Sequence, residues 1–219
     1  MIQATFGLAE SVKASDIPSL AASYGSWVGV RSNHVVDSQG RFSGDDSSSR
    51  SISTAEDREL LLALRSRADL LVVDAATARL EQYRAPKSKV PLAIFSSSGD
   101  FSRIPAVEDS GQPIYLFTGD KSPKHASNPS VIVVPIRQSP FDGFLEWAKE
   151  RSIAAILLEA GPSLTAKAFE AGIVRQSAIT RTGASPDADP TLMANPFDSQ
   201  AKLVSLALAP GAIFTLWNH

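Results

Sequence analysis

Cysteine is absent from this chain of 219 residues, and histidine occurs only three times, at positions 34, 125 and 219. Without cysteine the chain has no disulfide, no thiolate nucleophile and no cysteine-ligated zinc, and the zinc deaminase signature is excluded. The three histidines show no metal-ligand spacing, so no metal site is predicted. A reducing compartment is favoured, because disulfides persist mainly in oxidising ones.

The chain also has no excess of either charge and no long apolar run. Its 21 basic and 23 acidic residues give a net charge of -2, whereas a nucleic-acid-binding face needs a basic excess. No apolar run approaches the length of a membrane span, and residues 1–5 lack the features of a signal peptide. We therefore expect a soluble, cytoplasmic protein with no nucleic-acid or membrane partner. A single domain over 1–219, with a lead-in segment at 1–25, is the default for this length.

Short apolar runs alternate with helical patterns along the chain. Ser53 and Glu56 form a capping-box pair, which predicts a helix with an apolar face at 60, 61, 64 and 68. The chain as a whole predicts an α/β fold with a mostly parallel sheet and a C-terminal antiparallel hairpin around Pro210 and Gly211. Strands are predicted at 27–30, 70–73, 91–95, 114–117, 131–134 and 153–158, a weaker strand at 178–180, and further helices at 16–24 and from Pro140.

Residues 153–167 join a buried strand to a helix start. Six apolar residues end at Glu159, Gly161 and Pro162 then form a turn, and a helix is predicted over 163–170. A helix N-terminus presents unpaired N–H groups that suit a phosphate, and glycine lets a ligand approach the backbone. The alternative is an ordinary strand–turn–helix connection that binds nothing, and the residues leave both interpretations open.

Familiar nucleotide and hydrolase motifs are missing. No G-x-G-x-x-G follows the first strand, residues 119–122 have the wrong spacing for a P-loop, and no G-x-S-x-G elbow occurs. In sheets of this kind, ligands bind beyond the carboxyl ends of the strands. The residues that follow Val73, Phe95 and Leu158 are therefore the candidates for a site.

Three segments occur in a fixed order: VRSNHVV at 30–36 with Gly40, the stretch from Ala55 through LLVV at 70–73 to TARLE at 77–81, and LLEAGPSL at 157–164 followed by AGIV at 171–174. Together they resemble the pyrimidine reductase domain of riboflavin biosynthesis, the reductase half of a bifunctional deaminase–reductase, over roughly residues 27–182. The resemblance implies a dihydrofolate-reductase-like fold, a three-layer sandwich. It also implies that NADPH reduces the ribosyl side chain of a phosphorylated aminouracil to ribityl, without a metal.

The same resemblance implies roles for individual residues. Glu81 becomes the candidate catalytic residue, as an acid beside the reacting centre. Arg65, Glu159 and Ser49 are the candidate substrate contacts, although Arg65 also suits the negative end of its helix dipole. The family also implies a homodimer. The residues expected to bind NADPH are Thr77, Gly161, Pro162, Ser163, Leu164 and Thr165, with Ser53, Ser96 and Ser97 as weaker ligand candidates.

Four family motifs are altered in this chain. S-L-D-G is replaced by DSQG at 37–40, G-A-G-T by DAAT at 74–77, E-G-G-P by EAGP at 159–162, and D-E by Arg175-Gln176. Asp74 places a negative charge where the family would hold phosphates. These changes support a second hypothesis, a reductase-fold protein without catalysis that binds a nucleotide or metabolite. A dihydrofolate or pterin reductase proper is a third hypothesis, with no specific residue in its favour.

Overall fold

Two compact units make up the structure, a computed structural model that describes residues 4–7, 16–109, 111–137, 139–183 and 194–219. The first unit contains residues 1–67 and 174–219, and the second contains residues 68–173. The single domain expected over 1–219 stays a prediction. Across the described residues, no helix has both the length and the apolar character needed to cross a membrane.

In its described residues, the first unit is a mixed sheet with two α-helices and one 3-10 helix. Its strands lie in the order β1-β9-β10-β8-β2, and only the β2–β8 pair is parallel. The hairpin predicted around Pro210 and Gly211 is confirmed as β9 and β10. The elements are β1 (Ala4–Gly7), α1 (Ile17–Ser23), β2 (Gly29–Val36), a 3-10 helix (Ser49–Ser51), α2 (Ala55–Arg65), β8 (Val174–Thr182), β9 (Lys202–Ala209) and β10 (Ala212–Asn218).

The second unit, as far as the structure describes it, is a parallel sheet with four α-helices. Its strands lie in the order β7-β3-β4-β5-β6, and every pairing among them is parallel. The strands β3, β4 and β7 are buried on both faces, except at Asp74, the last residue of β3. The elements are β3 (Leu70–Asp74), α3 (Ala75–Leu80), β4 (Leu92–Phe95), α4 (Pro105–Asp109), β5 (Ile114–Thr118), β6 (Val131–Pro135), α5 (Phe144–Glu150), β7 (Ala155–Leu158) and α6 (Pro162–Glu170).

Aromatic side chains fill one side of this second unit. Phe95 of β4 stacks on Phe117 of β5 with 4.5 Å between ring centroids, and Phe144 of α5 contacts both rings edge-on. Trp147, one turn later on α5, contacts Phe117 at 4.9 Å. Such ring pairs add about 0.5–1.5 kcal/mol each beyond the apolar area that they bury. They fix α5 against β4 and β5, so the carboxyl ends of the strands are held by a rigid core.

Several predicted boundaries were wrong, each for a local reason. The cap of α2 is Thr54, whose hydroxyl accepts from the backbone N–H of Asp57, whereas Ser53 donates its hydroxyl to the carboxylate of Asp57 at 2.7 Å. Helix α5 starts only at residue 144, because Gly143 lies in the left-handed region with φ 68. Strand β7 starts at Ala155, two residues later than its apolar run.

Three strands were missed, shifted or shortened in the sequence interpretation. The strand predicted at 27–30 is β2, which spans Gly29–Val36. The lead-in segment contains β1, which pairs antiparallel with β9, so this part of the chain belongs to the sheet. Strand β8 has nine residues, because polar side chains that hide its apolar pattern are buried with partners. The hydroxyl of Thr182 donates to the carbonyl oxygen of Ile52 at 2.7 Å, and that of Ser177 pairs with His219 at 2.9 Å.

Candidate functional site

The carboxyl ends of β3 and β7 lie side by side in the second unit. The two strands are parallel neighbours, with Val72 opposite Leu158, and each is followed at once by a helix start. Helix α3 begins after Asp74, and α6 begins after the turn at 159–161. Two predicted stretches that are far apart in sequence are therefore brought together, as expected for the ligand-binding edge of a parallel sheet.

Asp74 links these two helix starts. It is the N-cap of α3, where its Oδ1 atom accepts from the backbone N–H of Thr77 at 2.8 Å. Its Oδ2 atom accepts from the Thr77 hydroxyl at 2.8 Å and from the backbone N–H of Gly161 at 2.6 Å. One carboxylate therefore takes three donors from two separate turns, and a side chain interpreted as a source of repulsion is a structural cap.

Position 161 requires glycine because neighbouring side chains lie too close for a Cβ atom. Its backbone conformation does not require glycine, since φ is -64. A Cβ atom at this position would lie 2.8 Å from the Thr77 hydroxyl and 3.2 Å from Oδ2 of Asp74. The sequence predicted that this glycine leaves room for a ligand. In the structure that room is taken by Thr77 and Asp74.

The first turn of α6 presents two backbone donors. The helix has Pro162 at its first position, no side-chain cap, and no acidic residue in its first turn. Proline has no N–H, and the N–H of Thr165 is donated to the carbonyl oxygen of Gly161 at 3.1 Å. Ser163 and Leu164 remain as the first-turn residues whose N–H groups have no acceptor within the helix. Ser163 is exposed, whereas Leu164 and Thr165 are buried and the Thr165 hydroxyl donates to the carbonyl oxygen of Ala160.

Glu159 is held in place by a tyrosine that the sequence interpretation missed. The hydroxyl of Tyr83 donates to Oε2 of Glu159 at 2.6 Å, across 76 positions of sequence. The tyrosine is only 8% exposed, and its backbone N–H donates to the carbonyl oxygen of Ala78 in α3. The signal that was available is its place two residues after Glu81, just beyond the end of a segment that carries the family resemblance.

Glu81 lies at the end of α3 and is half-buried. Its backbone N–H donates to the carbonyl oxygen of Thr77 at 2.9 Å, so the predicted spacing of one helical turn is correct. Helix α3 ends there, because Gln82 takes a positive φ of 48. Arg79 fixes the same helix by donating to the carbonyl oxygens of Ser102 and Asp100, at 3.1 and 3.0 Å.

The remaining candidates lie after β4 and in the first unit. Ser96 is buried with its hydroxyl 3.3 Å from that of Ser98, and Ser97 is exposed. In the first unit, Arg65 is the last residue of α2 and Ser49 opens the 3-10 helix, and both are half-buried. In the described part of the chain, no group of three or more acidic or histidine side chains is arranged to hold a metal ion.

A buried carboxylate follows the start of α2 in the first unit. Asp57 is 5% exposed, and burial raises its pKa above the ordinary value of 3.8, although hydrogen bonds from Thr180 and Ser53 oppose the shift. These hydrogen bonds tie α2 to β8 and to the preceding loop. Ser53, a weaker ligand candidate from sequence, thus has its hydroxyl engaged with Asp57.

Comparison with known proteins gives one matching family and several solved structures with a similar fold. The model of the RibD C-terminal domain family matches residues 32–180, more than half of the chain. No curated protein sequence matches significantly. The structure is similar to that of a pyrimidine reductase-like protein from Corynebacterium diphtheriae, with 20% identity and a TM-score of 0.65 over 93% of this chain and 98% of that one.

Two further solved structures have related folds. A diaminohydroxyphosphoribosylaminopyrimidine deaminase/5-amino-6-(5-phosphoribosylamino)uracil reductase from Thermotoga maritima gives 14% identity and a TM-score of 0.70, over 90% of this chain and 57% of that one. A dihydrofolate reductase from Enterococcus faecalis, complexed with NADP(H), gives 11% identity and a TM-score of 0.51, over 87% and 95%. The predicted dihydrofolate-reductase-like α/β fold is confirmed.

Proposed function

Since this chain belongs to the family of RibD C-terminal domains, we propose that it is an NADPH-dependent reductase of a phosphorylated ribosylaminopyrimidine in riboflavin biosynthesis, or of a related heterocycle. The observation that carries the proposal is the family match over residues 32–180. That range contains both helix starts of the site, together with Thr77, Glu81 and Glu159. The chain is accordingly an oxidoreductase whose hydride donor is a nicotinamide nucleotide.

The α6 turn fits a phosphate group of the cofactor. Its first turn has no side-chain cap and no acidic residue, and the N–H groups of Ser163 and Leu164 point out of the helix start. In the proposal these two residues hold phosphate oxygens, Gly161, Pro162 and Thr165 shape the turn, and Thr77 contacts the cofactor near its nicotinamide ribose. The reduced nicotinamide, when bound, supplies the hydride.

The substrate side of the proposal rests on Glu81 and Glu159. Reduction of a ribosyl to a ribityl side chain adds one hydride and one proton, so an acid is needed beside the cofactor. Glu81, at the end of the short helix that Asp74 caps, is assigned that role. Glu159, held by Tyr83, is assigned to substrate binding. Arg65 and Ser49 stay candidate substrate contacts on the ground of the sequence resemblance alone.

We test the proposal by cofactor binding and by turnover. NADPH is titrated into the protein and followed by energy transfer from tryptophan, and consumption of NADPH is then followed with the phosphorylated aminouracil. Glu81→Gln should lower kcat by about 100-fold or more while the Kd for NADPH is unchanged. Glu146→Gln, an exposed glutamate of α5, is the matched control and should change neither value. A wild-type protein that binds no NADPH at millimolar concentration refutes the proposal.

Asp74 supports the alternative, a reductase-fold protein that binds a nucleotide or metabolite without catalysis. Its carboxylate takes donors that a cofactor phosphate would otherwise use. The alternative predicts no turnover above background, whether or not NADPH is the nucleotide that binds, and no kinetic effect of Glu81→Gln. The same assay therefore separates the two functions.

The assembly and location of the protein are also proposals. The family resemblance supports a homodimer, and analytical ultracentrifugation at several concentrations measures it directly, with a concentration-independent monomer mass as the contrary result. The cytoplasmic location remains the sequence-based expectation, and cell fractionation tests it.

A further inference from the structure

The carboxylate of Asp74 is a fixed anion between two helix N-termini. It accepts from Thr77 twice and from Gly161 once, over distances of 2.6 to 2.8 Å. Helix N-termini carry a partial positive charge, so an anion is favourable there whether it comes from a ligand or from the protein. In this chain the protein itself supplies one.

Within the part of the chain that the structure describes, Asp74 forms no ion pair. Among the described residues, the partners of Asp74 are the neutral donors of Thr77 and Gly161. The nearest arginine along α3, Arg79, is directed to the carbonyl oxygens of Ser102 and Asp100 and lies 3.9 Å from the Asp100 carboxylate. A phosphate at the first turn of α6 therefore approaches a carboxylate that is hydrogen-bonded to the neighbouring Gly161, and like charges at such distances repel.

We propose that Asp74 is an affinity-determining residue, an internal anion that competes with a phosphate of the nicotinamide cofactor for the helix start of α6. The inference rests on the proposed function, because it takes the α6 turn as the phosphate seat. A phosphate that binds at Ser163 and Leu164 is weakened by the charge of Asp74. A phosphate that binds at Gly161 must first displace that carboxylate and break its three hydrogen bonds.

Two substitutions remove the charge in different ways. Asp74→Asn keeps the size of the side chain and one acceptor oxygen. Asp74→Ser keeps an N-cap hydroxyl for the N–H of Thr77 and releases the N–H of Gly161. Both should lower the Kd for NADPH about tenfold, a change that corresponds to about 1.4 kcal/mol. If one of the two variants does not fold, the Kd of the other variant still tests the inference.

Asp69→Asn is the matched control. Asp69 directly precedes β3, at the opposite end of this strand from Asp74, and its carboxylate accepts from the backbone N–H groups of Ala154 and Ala155 at 3.0 and 2.8 Å. It therefore has the same charge and the same kind of backbone partners, but it lies at the amino ends of the strands. Its substitution should leave the Kd for NADPH unchanged.

The readout is cofactor binding, followed by energy transfer from tryptophan to NADPH, with circular dichroism to verify folding. Tighter binding by the Asp74 variants, with Asp69→Asn equal to wild type, supports the inference. Folded Asp74 variants that bind no tighter than an active wild type overturn the inference and leave the proposed function standing. If no protein in the series binds NADPH, both are overturned. If only the Asp74 variants bind, the inference holds and the wild-type protein does not use NADPH.

Discussion

The hydrogen bond between Tyr83 and Glu159 is the contact that most directly tests the site as described. Tyr83→Phe removes one hydroxyl and leaves the ring in its buried position. The lost bond is short, at 2.6 Å, and its acceptor is a carboxylate. Hydrogen bonds to charged groups contribute about 1.5–3 kcal/mol, and because Glu159 is half-buried, we take the lower end, about 1.5 kcal/mol.

That free energy converts into a measurable change in Tm. At about 2.1 cal/mol/K per residue, a chain of 219 residues unfolds with an entropy of about 0.46 kcal/mol/K. Tyr83→Phe should therefore lower Tm by about 3 °C in differential scanning calorimetry. Tyr115→Phe is the control, since Tyr115 packs edge-on against Trp147 at 4.8 Å and its hydroxyl makes no hydrogen bond with any residue that the structure describes. Its Tm should change by less than about 1 °C.

A double-mutant cycle isolates the pair. Tyr83→Phe, Glu159→Gln and the double variant should give a coupling free energy of about 1 kcal/mol or more, since residues in direct contact are not additive. Additive effects, or a Tyr83→Phe shift no larger than that of Tyr115→Phe, would show that the contact contributes nothing. If Glu159 contacts substrate as proposed, Tyr83→Phe should also raise KM for the substrate while the Kd for NADPH stays the same.

Two further predictions concern the first unit. Burial raises the pKa of Asp57, so the folded state holds this proton more tightly than the unfolded state and loses stability as pH rises from about 4 through the folded pKa. Asp57→Asn does not titrate, so its Tm relative to that of the wild type should rise over the same pH range. A difference in Tm that stays constant with pH would contradict the argument. His219→Ala removes hydrogen bonds to the buried Ser177 hydroxyl and to Asp198, at 2.9 and 2.7 Å. It should lower the free energy of unfolding, measured in urea, by about 1–2 kcal/mol. As the control, His125→Ala changes an exposed side chain and should leave this free energy unchanged.

The second unit was the more predictable part of the fold. Its strands β3, β4 and β7 are buried on both faces apart from Asp74, as is typical of a parallel sheet, whereas the edge strand β6 is partly exposed. All five strands nevertheless contain continuous apolar runs, and each was located within two residues. The first unit was harder, because β8 buries polar residues whose partners come from distant segments. Thr182 donates to Ile52 across 130 positions and Thr215 bonds to Ile179 across 36. No local sequence pattern predicts hydrogen bonds between residues so far apart in the chain.

The sequence predicted the position of the two candidate turns but not the hydrogen bonds that link them. The rule that ligands bind beyond the carboxyl ends of parallel strands identified the turns after β3 and β7. The spacing of Asp74 and Thr77 is that of an N-cap and the third helical residue, which would have predicted the cap. The bond from Asp74 to Gly161 spans 87 positions, so only the structure reveals that one carboxylate serves both turns.

Asp74 should affect the stability of the protein and its affinity for the cofactor in opposite directions. As an N-cap it stabilises α3 by about 1 kcal/mol, and through Gly161 it also holds the start of α6. The same three hydrogen bonds withdraw the donors of Thr77 and Gly161 from a phosphate, and they place a negative charge beside the N–H groups of Ser163 and Leu164. A substitution that frees those donors should therefore lower Tm while it tightens NADPH binding. If Asp74→Ser lowered both Tm and affinity, the carboxylate would be supporting the phosphate seat by holding the two turns together, and the competition inferred for it would be wrong.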